Sequence, residues 1–297
     1  MKPTRRELIT GMAAAAAGTS LGAARGYKPA LAAQFYIWVQ KFDREKKSLA
    51  EGAGEAFRSV RRAGYKRIEL MSNLFTDDAR DHTLAAIREN GLEIPIVYNG
   101  CTMHEEAAAE KAIEENLKLA ETIRPTGSRI IEINADGKPH GAAKTDAELA
   151  VQARCMTRLA EALKARGFGL LIHNHTPEME NNAREWRAML RDTPAGFCLD
   201  LHWVYRAGQD PLGLLREAGK RVGGLHLRNS QRGVWTEAFG DGDMDYRPIA
   251  AYLKESGYSG YLMVELAYEK DTQVTRPLEE DLRISREYAQ KLFGVKA

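Results

Sequence analysis

Short apolar runs alternate with amphipathic stretches of helical period along most of the chain. Eight apolar runs, each closed by polar residues, cover 34–39, 67–71, 93–98, 129–134, 169–174, 196–201, 222–227 and 261–266. Helical periodicity between and after them covers 48–63, 77–90, 104–123, 145–166, 182–191, 211–218, 246–256 and 276–292. Strands that are apolar on both faces and alternate with helices are typical of a parallel sheet covered by helices. Eight such units favour an α/β fold, a closed (β/α)8 TIM barrel in a single domain.

Ionisable side chains collect at the ends of the last four runs. In chain order they are His173 and His175, Asp200 and His202, His226, and Glu265. Because the carboxyl ends of all barrel strands meet at one face, these side chains are expected to converge there. Each has a simpler explanation on its own, with His226 as a core histidine, Asp200 as a helix cap and Glu265 as half of an ion pair. Their recurrence at equivalent strand positions favours a shared divalent-metal centre, since a buried charge is costly unless it is paired or bound to metal.

Other polar and aromatic residues near the strand ends are candidates for contacting a substrate. They are Glu69, Asn99, His104, Glu132, His202, Trp203, Arg228 and Trp235. The two tryptophans suit a carbohydrate, whose C–H faces pack against aromatic rings. Glu69 and Glu132 lie inside the second and fourth runs, so a structural, ion-paired role within the barrel is the alternative for both.

Composition changes this picture mainly at the N-terminus. Residues 1–32 combine Arg5 and Arg6 with an Ala-rich run and small residues, which is typical of a twin-arginine export signal. The barrel is then expected over 33–297, in a periplasmic or extracellular protein. Residues 30–32 and 22–24 both suit signal cleavage, and an amphipathic or disordered leader is the alternative. The leader holds five of the 43 Lys and Arg residues and one of the 41 acids, so its removal changes the formal net charge from +2 to −2.

The acidic remainder of the chain argues against a nucleic-acid partner, and no second apolar segment suggests a membrane contact after signal removal. The three cysteines are far apart and indicate neither a disulfide framework nor a thiolate metal site. Cys198 lies in an apolar run and is interpreted as a buried, inert thiol. The expected partner is a small-molecule carbohydrate, and a homo-oligomer is left open.

Four stretches carry a family resemblance: LLIHNHTPEM, CLDLHWVYRAGQDP, GLHLRNS and FGDGDMDYRPIAAYLKESGYSGYLMVELAYE. They resemble successive motifs of the xylose-isomerase-like TIM-barrel superfamily, the sugar (phosphate) isomerases/epimerases. The resemblance implies one divalent ion, drawn from Mn, Co, Fe, Mg or Zn, held by Glu, Asp, His and Glu from strands five to eight. The matching positions here are Asp200, His226 and Glu265, with His173 in place of the first glutamate.

The resemblance also implies a reaction. Proton abstraction next to a carbonyl, through a metal-bound enediolate, would make the protein a sugar isomerase or epimerase. Glu265 is expected to be the base, with Glu178 or His175 as partner acid because the second family glutamate is missing. The main alternative is a metal-dependent lyase or hydratase that acts on keto-sugars or 3-keto-glycosides. An endonuclease-IV-like nuclease and a non-catalytic sugar-binding barrel are the remaining alternatives.

Overall fold

Eight parallel strands close into a barrel in the computed structural model, which describes residues 26–296. Each strand pairs with its neighbours in sequence, and β8 pairs with β1 to complete the ring. The strands are β1 (Ala30–Gln34), β2 (Ile68–Met71), β3 (Ile96–Cys101), β4 (Ile130–Ala135), β5 (Gly169–His173), β6 (Gly196–Asp200), β7 (Val222–Leu227) and β8 (Tyr261–Val264). This closed order confirms the predicted single-domain (β/α)8 TIM barrel.

Within the described residues, ten α-helices pack outside the strands or follow their carboxyl ends. They are α1 (Tyr36–Glu45), α2 (Leu49–Arg62), α3 (Arg80–Asn90), α4 (Glu106–Ile123), α5 (Asp146–Ala165), α6 (Thr176–Asp192, with non-helical residues at 180–183), α7 (Leu201–Arg206), α8 (Pro211–Ala218), α9 (Arg247–Ser256) and α10 (Leu278–Phe293). A short antiparallel hairpin, Ser230–Gln231 paired with Val234–Trp235, follows β7. No helix within residues 26–296 is both long and apolar enough to cross a bilayer.

The first predicted strand is wrong. The run at 34–39 mostly belongs to α1, and the strand itself lies earlier, at Ala30–Gln34. Ile37, Trp38 and Phe42 are the buried residues of this helix, and Trp38 and Phe42, four positions apart, lie on one helical face. A short apolar run does not distinguish a strand from a buried helical segment by periodicity alone.

The predicted leader falls largely outside the described residues, including Arg5 and Arg6. Its expected end at residue 32 lies inside β1, because residues 30–33 pair with Tyr261–Val264 of β8. That ladder closes the barrel, so the described barrel begins earlier than the predicted 33–297. Of the two cleavage sites that the sequence suggests, only residues 22–24 leave the whole of β1 in the mature chain.

Alternation along the strands separates an apolar layer from a polar layer inside the barrel. Leu171, Cys198 and Met263 belong to one buried apolar cluster. Each lies two residues before a strand-end polar residue, and side chains two apart on a strand share a face. The apolar cluster therefore fills the barrel interior nearer the amino ends of the strands, and the polar residues point inward at the opposite face.

Candidate active site

A cavity of about 190 Å³ opens at the carboxyl ends of the barrel strands. Its lining combines histidines, an acid, an arginine and aromatic residues with one glutamine and one methionine. The lining residues are Gln34, Tyr36, Met71, Tyr98, His173, His175, Trp203, His226, Arg228, Trp235 and Glu265. The strand-end residues of β5, β7 and β8 therefore meet in one space, as expected from barrel geometry.

Asp200, His226 and Glu265, which we term the rim group, bring three possible metal ligands together. One ligand atom from each lies within 4.8 Å of the other two, and all three residues are buried. Asp200 and His226 are direct partners in the β6–β7 ladder, and His226 Nδ1 lies 2.7 Å from Glu265 Oε2. One imidazole and two carboxylates form a donor set that suits a hard or borderline divalent cation.

Arg228 is the internal counter-ion of this group. Its Nη2 contacts Asp200 Oδ2 and lies 2.5 Å from Glu265 Oε2. The guanidinium carbon also lies 5.4 Å from the ring centroid of Trp203 and 4.6 Å from that of Trp235. Burial alone would raise the pKa of Glu265, but Arg228 and His226 outweigh burial and hold that pKa well below its usual range. Glu265 is therefore ionised at neutral pH.

His173 does not fall in the same group of possible ligands as Asp200 and Glu265. In the strand ladders His173 pairs with Cys198, whereas His226 pairs with Asp200, so the two histidines have different neighbours. A ligand atom of His173 lies within 4.8 Å of atoms from Glu132, Cys198 and His226. The possible ligands fall into two groups that share His226: the rim group, and a second group of Glu132, His173, Cys198 and His226. That His173, Asp200, His226 and Glu265 bind one ion stays a prediction.

Glu69 and Glu132 contact histidines and do not line the cavity. Glu69 Oε2 is hydrogen-bonded to His226 Nε2 at 2.8 Å, and Glu132 Oε1 lies 3.0 Å from His173 Nδ1. Burial raises the pKa of each glutamate to about 7. This placement favours the structural, ion-paired alternative for both glutamates, and their contact with a substrate stays a prediction.

The histidines at the end of β5 are neutral at pH 7. Burial lowers the pKa of His173 to about 4, and burial together with the neighbouring His173 lowers the pKa of His175 to about 3. The His175 ring lies 4.9 Å from that of His173 and 5.8 Å from that of Trp203, measured between centroids. A neutral imidazole keeps a free lone pair, so both rings can bind a metal ion or exchange a proton.

Glu178, the other predicted partner acid, lies outside the cavity lining. Its Oε2 accepts the backbone N–H of His175 at 2.8 Å, and its Oε1 accepts the amide of Asn134 at 3.2 Å. Glu178 stands in the first turn of α6, three residues after His175, which is the position from which a glutamate satisfies a helix N-terminus. The same spacing in the sequence indicates this capping role.

Asn99 and His104 are also outside the lining. Tyr98 lines the cavity, and because side chains alternate along a strand, Asn99 faces the other way. Asn99 accepts a hydrogen bond from Ser72 Oγ at 2.7 Å and donates one to Asn116 Oδ1 at 3.0 Å. His104 is buried, and its Nε2 lies 3.7 Å from Glu105.

His202 supports the hairpin that carries Trp235. Its Nε2 lies 3.1 Å from Ser230 Oγ, which donates to Asp243 Oδ2 at 2.7 Å. Ser230 pairs with Trp235 across the hairpin. His202 is thus a positioning residue beneath the cavity wall, while the other predicted substrate contacts on this side, Trp203, Arg228 and Trp235, do line the cavity.

Sequence reasoning missed Gln34 and Met71 as lining residues, and it assigned Cys198 no role. Gln34 ends β1, so it was hidden by the misplaced first strand. Cys198 lies two residues before Asp200 on β6 and shares its inward face, which is a signal that the sequence does contain.

Comparison with known proteins agrees with this fold. A family model described as xylose isomerase-like TIM barrel matches residues 57–292. An inosose dehydratase from Clostridium perfringens is 28% identical over 158 residues, which cover 46% of this chain and 52% of that protein. The chain thus spans about half the length of this curated relative.

Solved structures share the architecture at low identity. A D-allulose 3-epimerase from Methylomonas sp. superposes with a TM-score of 0.73 at 19% identity, covering 90% of this chain and 98% of that one. A 3-keto-D-glucoside 4-epimerase from E. coli superposes with a TM-score of 0.67 at 15% identity, covering 89% and 100%. These likenesses concern the fold, and the match over most of its length shows that the chain belongs to the xylose isomerase-like TIM-barrel family.

Proposed function

We propose that this protein is a divalent-metal-dependent carbohydrate isomerase or epimerase that abstracts a proton next to a carbonyl group. One observation carries the proposal. Glu265 and His175 line the same cavity from strands that lie three positions apart around the barrel, beside a rim group of metal-ligand type. An ionised carboxylate and a neutral imidazole on different walls are suited to remove a proton and return it elsewhere on the substrate.

The rim group fits a divalent ion. Its three residues supply one imidazole and two carboxylates, and one ligand atom from each lies within 4.8 Å of the other two. When bound there, the ion would polarise a substrate carbonyl and make the neighbouring C–H bond more acidic. It would take over the contacts that Arg228 Nη2 makes to the two carboxylates.

The remaining residues have roles that follow from their positions. Glu265 is ionised and accepts the proton. His175, as a neutral imidazole, donates its ring N–H proton to another face or carbon and regains a proton from Glu265 through solvent. The guanidinium of Arg228 offsets negative charge that develops on the substrate oxygens, in a cavity with little water to compete. Trp203 and Trp235 pack against the C–H faces of the sugar.

A lyase outcome is the second candidate. It is favoured by the inosose dehydratase relative and by the imidazole of His173 at the strand-five position where the resemblance places a carboxylate in ketose epimerases. The first step is the same in both cases, but expulsion of a β-substituent would replace reprotonation, with water leaving from a keto-sugar or inosose and the aglycone leaving from a 3-keto-glycoside. The substrate would then be a keto-sugar, a 3-keto-glycoside or an inosose.

Proton exchange in D2O separates these outcomes. The metal-loaded protein is incubated with ketohexoses, 3-keto-glucosides and inososes, and the products are followed by NMR and mass spectrometry. Deuterium incorporation with all substituents retained supports the isomerase or epimerase, and loss of water supports the lyase. Glu265→Gln is expected to lower the rate by about 10²–10⁴-fold.

Glu237→Gln is the matched control, because Glu237 accepts a hydrogen bond from the Thr275 hydroxyl and lies outside the cavity lining. It is expected to keep the wild-type rate. Equal rates of exchange in wild type and in Glu265→Gln would refute the proposed role of Glu265. A preparation that neither binds a divalent ion nor gains heat stability from one would favour a non-catalytic sugar-binding barrel.

A further inference from the structure

The loop between β8 and α10, residues 265–277, holds the backbone of Trp235 at the cavity. The Trp235 N–H donates a hydrogen bond to Glu269 Oε2 at 2.8 Å, and the Trp235 carbonyl accepts one from Thr272 Oγ1 at 3.1 Å. Glu269 and Thr272 close a tight turn, since the Glu269 N–H donates to Thr272 Oγ1 at 2.9 Å and the Thr272 N–H donates to the Glu269 carbonyl at 3.2 Å. One turn of this loop therefore fixes both polar backbone groups of Trp235.

The other carboxylate oxygen of Glu269 contacts a cation that lies beside both cavity tryptophans. Oε1 of Glu269 contacts Arg206 Nη1, and Arg206 Nη2 donates to the carbonyl of Gly233 in the hairpin turn at 3.0 Å. The Arg206 guanidinium carbon lies 5.8 Å from the ring centroid of Trp203 and 5.3 Å from that of Trp235. A guanidinium at this distance is attracted to an indole ring. Glu269 thus holds the hairpin directly and also through Arg206.

Trp203 and Trp235, which we term the aromatic wall, form one side of the cavity. Their ring centroids are 5.0 Å apart and their planes meet at 74°, which is an edge-to-face pair. Trp203 also lies edge-to-face with His175. Because such pairs depend on the orientation of both rings, a displaced Trp235 would displace Trp203 as well. Glu269 itself lies outside the cavity lining, so it can affect a bound molecule only through the wall.

We propose that Glu269 is a positioning residue for substrate binding, which holds the aromatic wall in the orientation that packs against the C–H faces of a sugar. This inference rests on the proposed function, since it takes the ligand to be a carbohydrate. Rings that are already ordered before the ligand arrives lower the entropic cost of binding. A carboxylate suits the task because its two oxygens accept from the Trp235 N–H and from Arg206, whereas an amide has one acceptor oxygen.

Fluorescence quenching tests the contact without any substrate. Glu269→Ala removes both interactions, so the buried indole of Trp235 is expected to become accessible, and quenching of tryptophan emission by acrylamide is expected to rise. Trp38 and Trp186 are at most 2% exposed and are common to every variant. Asp271→Ala is the matched control, because Asp271 is an exposed acid two residues further along the same loop. It is expected to keep the wild-type quenching.

Steady-state kinetics test the effect on binding, with the substrate that the wild type turns over in the D2O experiment. Glu269→Ala is expected to raise KM about 10-fold, as loss of one charge-assisted hydrogen bond would, while kcat stays near the wild-type value. In a Trp235→Ala background the same substitution is expected to change KM by about 2-fold or less, because its effect passes through the missing ring. Glu269→Gln keeps an acceptor for the Trp235 N–H and is expected to give an intermediate KM.

The outcomes separate this inference from the proposed function. Failure of the wild type to turn over any carbohydrate would count against the proposed function, and quenching would still decide whether Glu269 holds Trp235. Wild-type quenching in folded Glu269→Ala would overturn the inference whatever the reaction. An equal rise in KM with and without the Trp235 ring would show a general structural role and would also overturn it. If Glu269→Ala does not fold, Glu269→Gln carries both measurements, with smaller changes expected in the same direction.

Discussion

Removal of the buried charge of Arg228 should have a large and measurable effect on stability. Arg228→Met takes the guanidinium away from Asp200 and Glu265 but keeps an unbranched apolar stem beside Trp203 and Trp235. Removing one partner of a buried ion pair costs about 3–5 kcal/mol, because an uncompensated charge stays behind. Here one guanidinium serves two carboxylates, so we expect the upper part of this range. The melting temperature should fall on the order of 10 °C.

The assay compares metal-free proteins by thermal and urea unfolding. Arg232→Met is the matched control, since Arg232 lies four residues further on in the same loop and is exposed. A surface change of this kind usually alters stability by about 0.5 kcal/mol or less. Addition of Mn²⁺ should then stabilise Arg228→Met more than wild type, because the ion no longer competes with the guanidinium. At an ion concentration of about 100 times Kd, binding contributes about 2.7 kcal/mol.

The outcome bears directly on the proposed base. If metal-free Arg228→Met is as stable as Arg232→Met, the two carboxylates are not charged partners of this arginine. The lowered pKa of Glu265 would then depend on His226 alone, and Arg228 would lose its assigned role as the counter-ion of the rim group.

Three further predictions concern a buried acid, a helix cap and the chain start. Burial raises the pKa of Glu69 to about 7, whereas its ordinary value is 4.5. Between these two pH values the folded protein keeps a proton that the unfolded chain has lost, so the stability that Glu69 contributes to the wild type falls as pH rises. Urea unfolding should show Glu69→Gln gaining on wild type from pH 5 to pH 8, and a constant difference would contradict this. Glu178→Gln should lower the free energy of unfolding by about 1 kcal/mol, because the helix cap is weakened, while kcat stays near the wild-type value. A loss of kcat as large as that of Glu265→Gln would instead support Glu178 as the partner acid. N-terminal sequencing of exported protein should find a chain that starts at or before Ala30, and a start at residue 33 would show that the barrel closes without the first three residues of β1.

Local pattern determined most of the architecture. The runs at 67–71, 129–134, 169–174, 196–201 and 222–227 coincide with β2, β4, β5, β6 and β7 within a residue or two. Their apolar residues on both faces can be buried only between a helical layer and a barrel interior. The prediction at 34–39 was wrong because five apolar residues after Gln34 are too short a run for periodicity to distinguish a strand from a helix.

Contacts across the barrel were decided by tertiary structure. The sequence by itself determined that His173, Asp200, His226 and Glu265 stand at strand ends on one face of the barrel. It did not determine their neighbours, because the register between neighbouring strands depends on how the whole barrel closes. That register pairs His173 with Cys198 and His226 with Asp200, so the possible ligands fall into two groups that share His226. Arg228 likewise lies between the carboxylates of Asp200 and Glu265 only because the strands that carry these residues come together in the folded barrel.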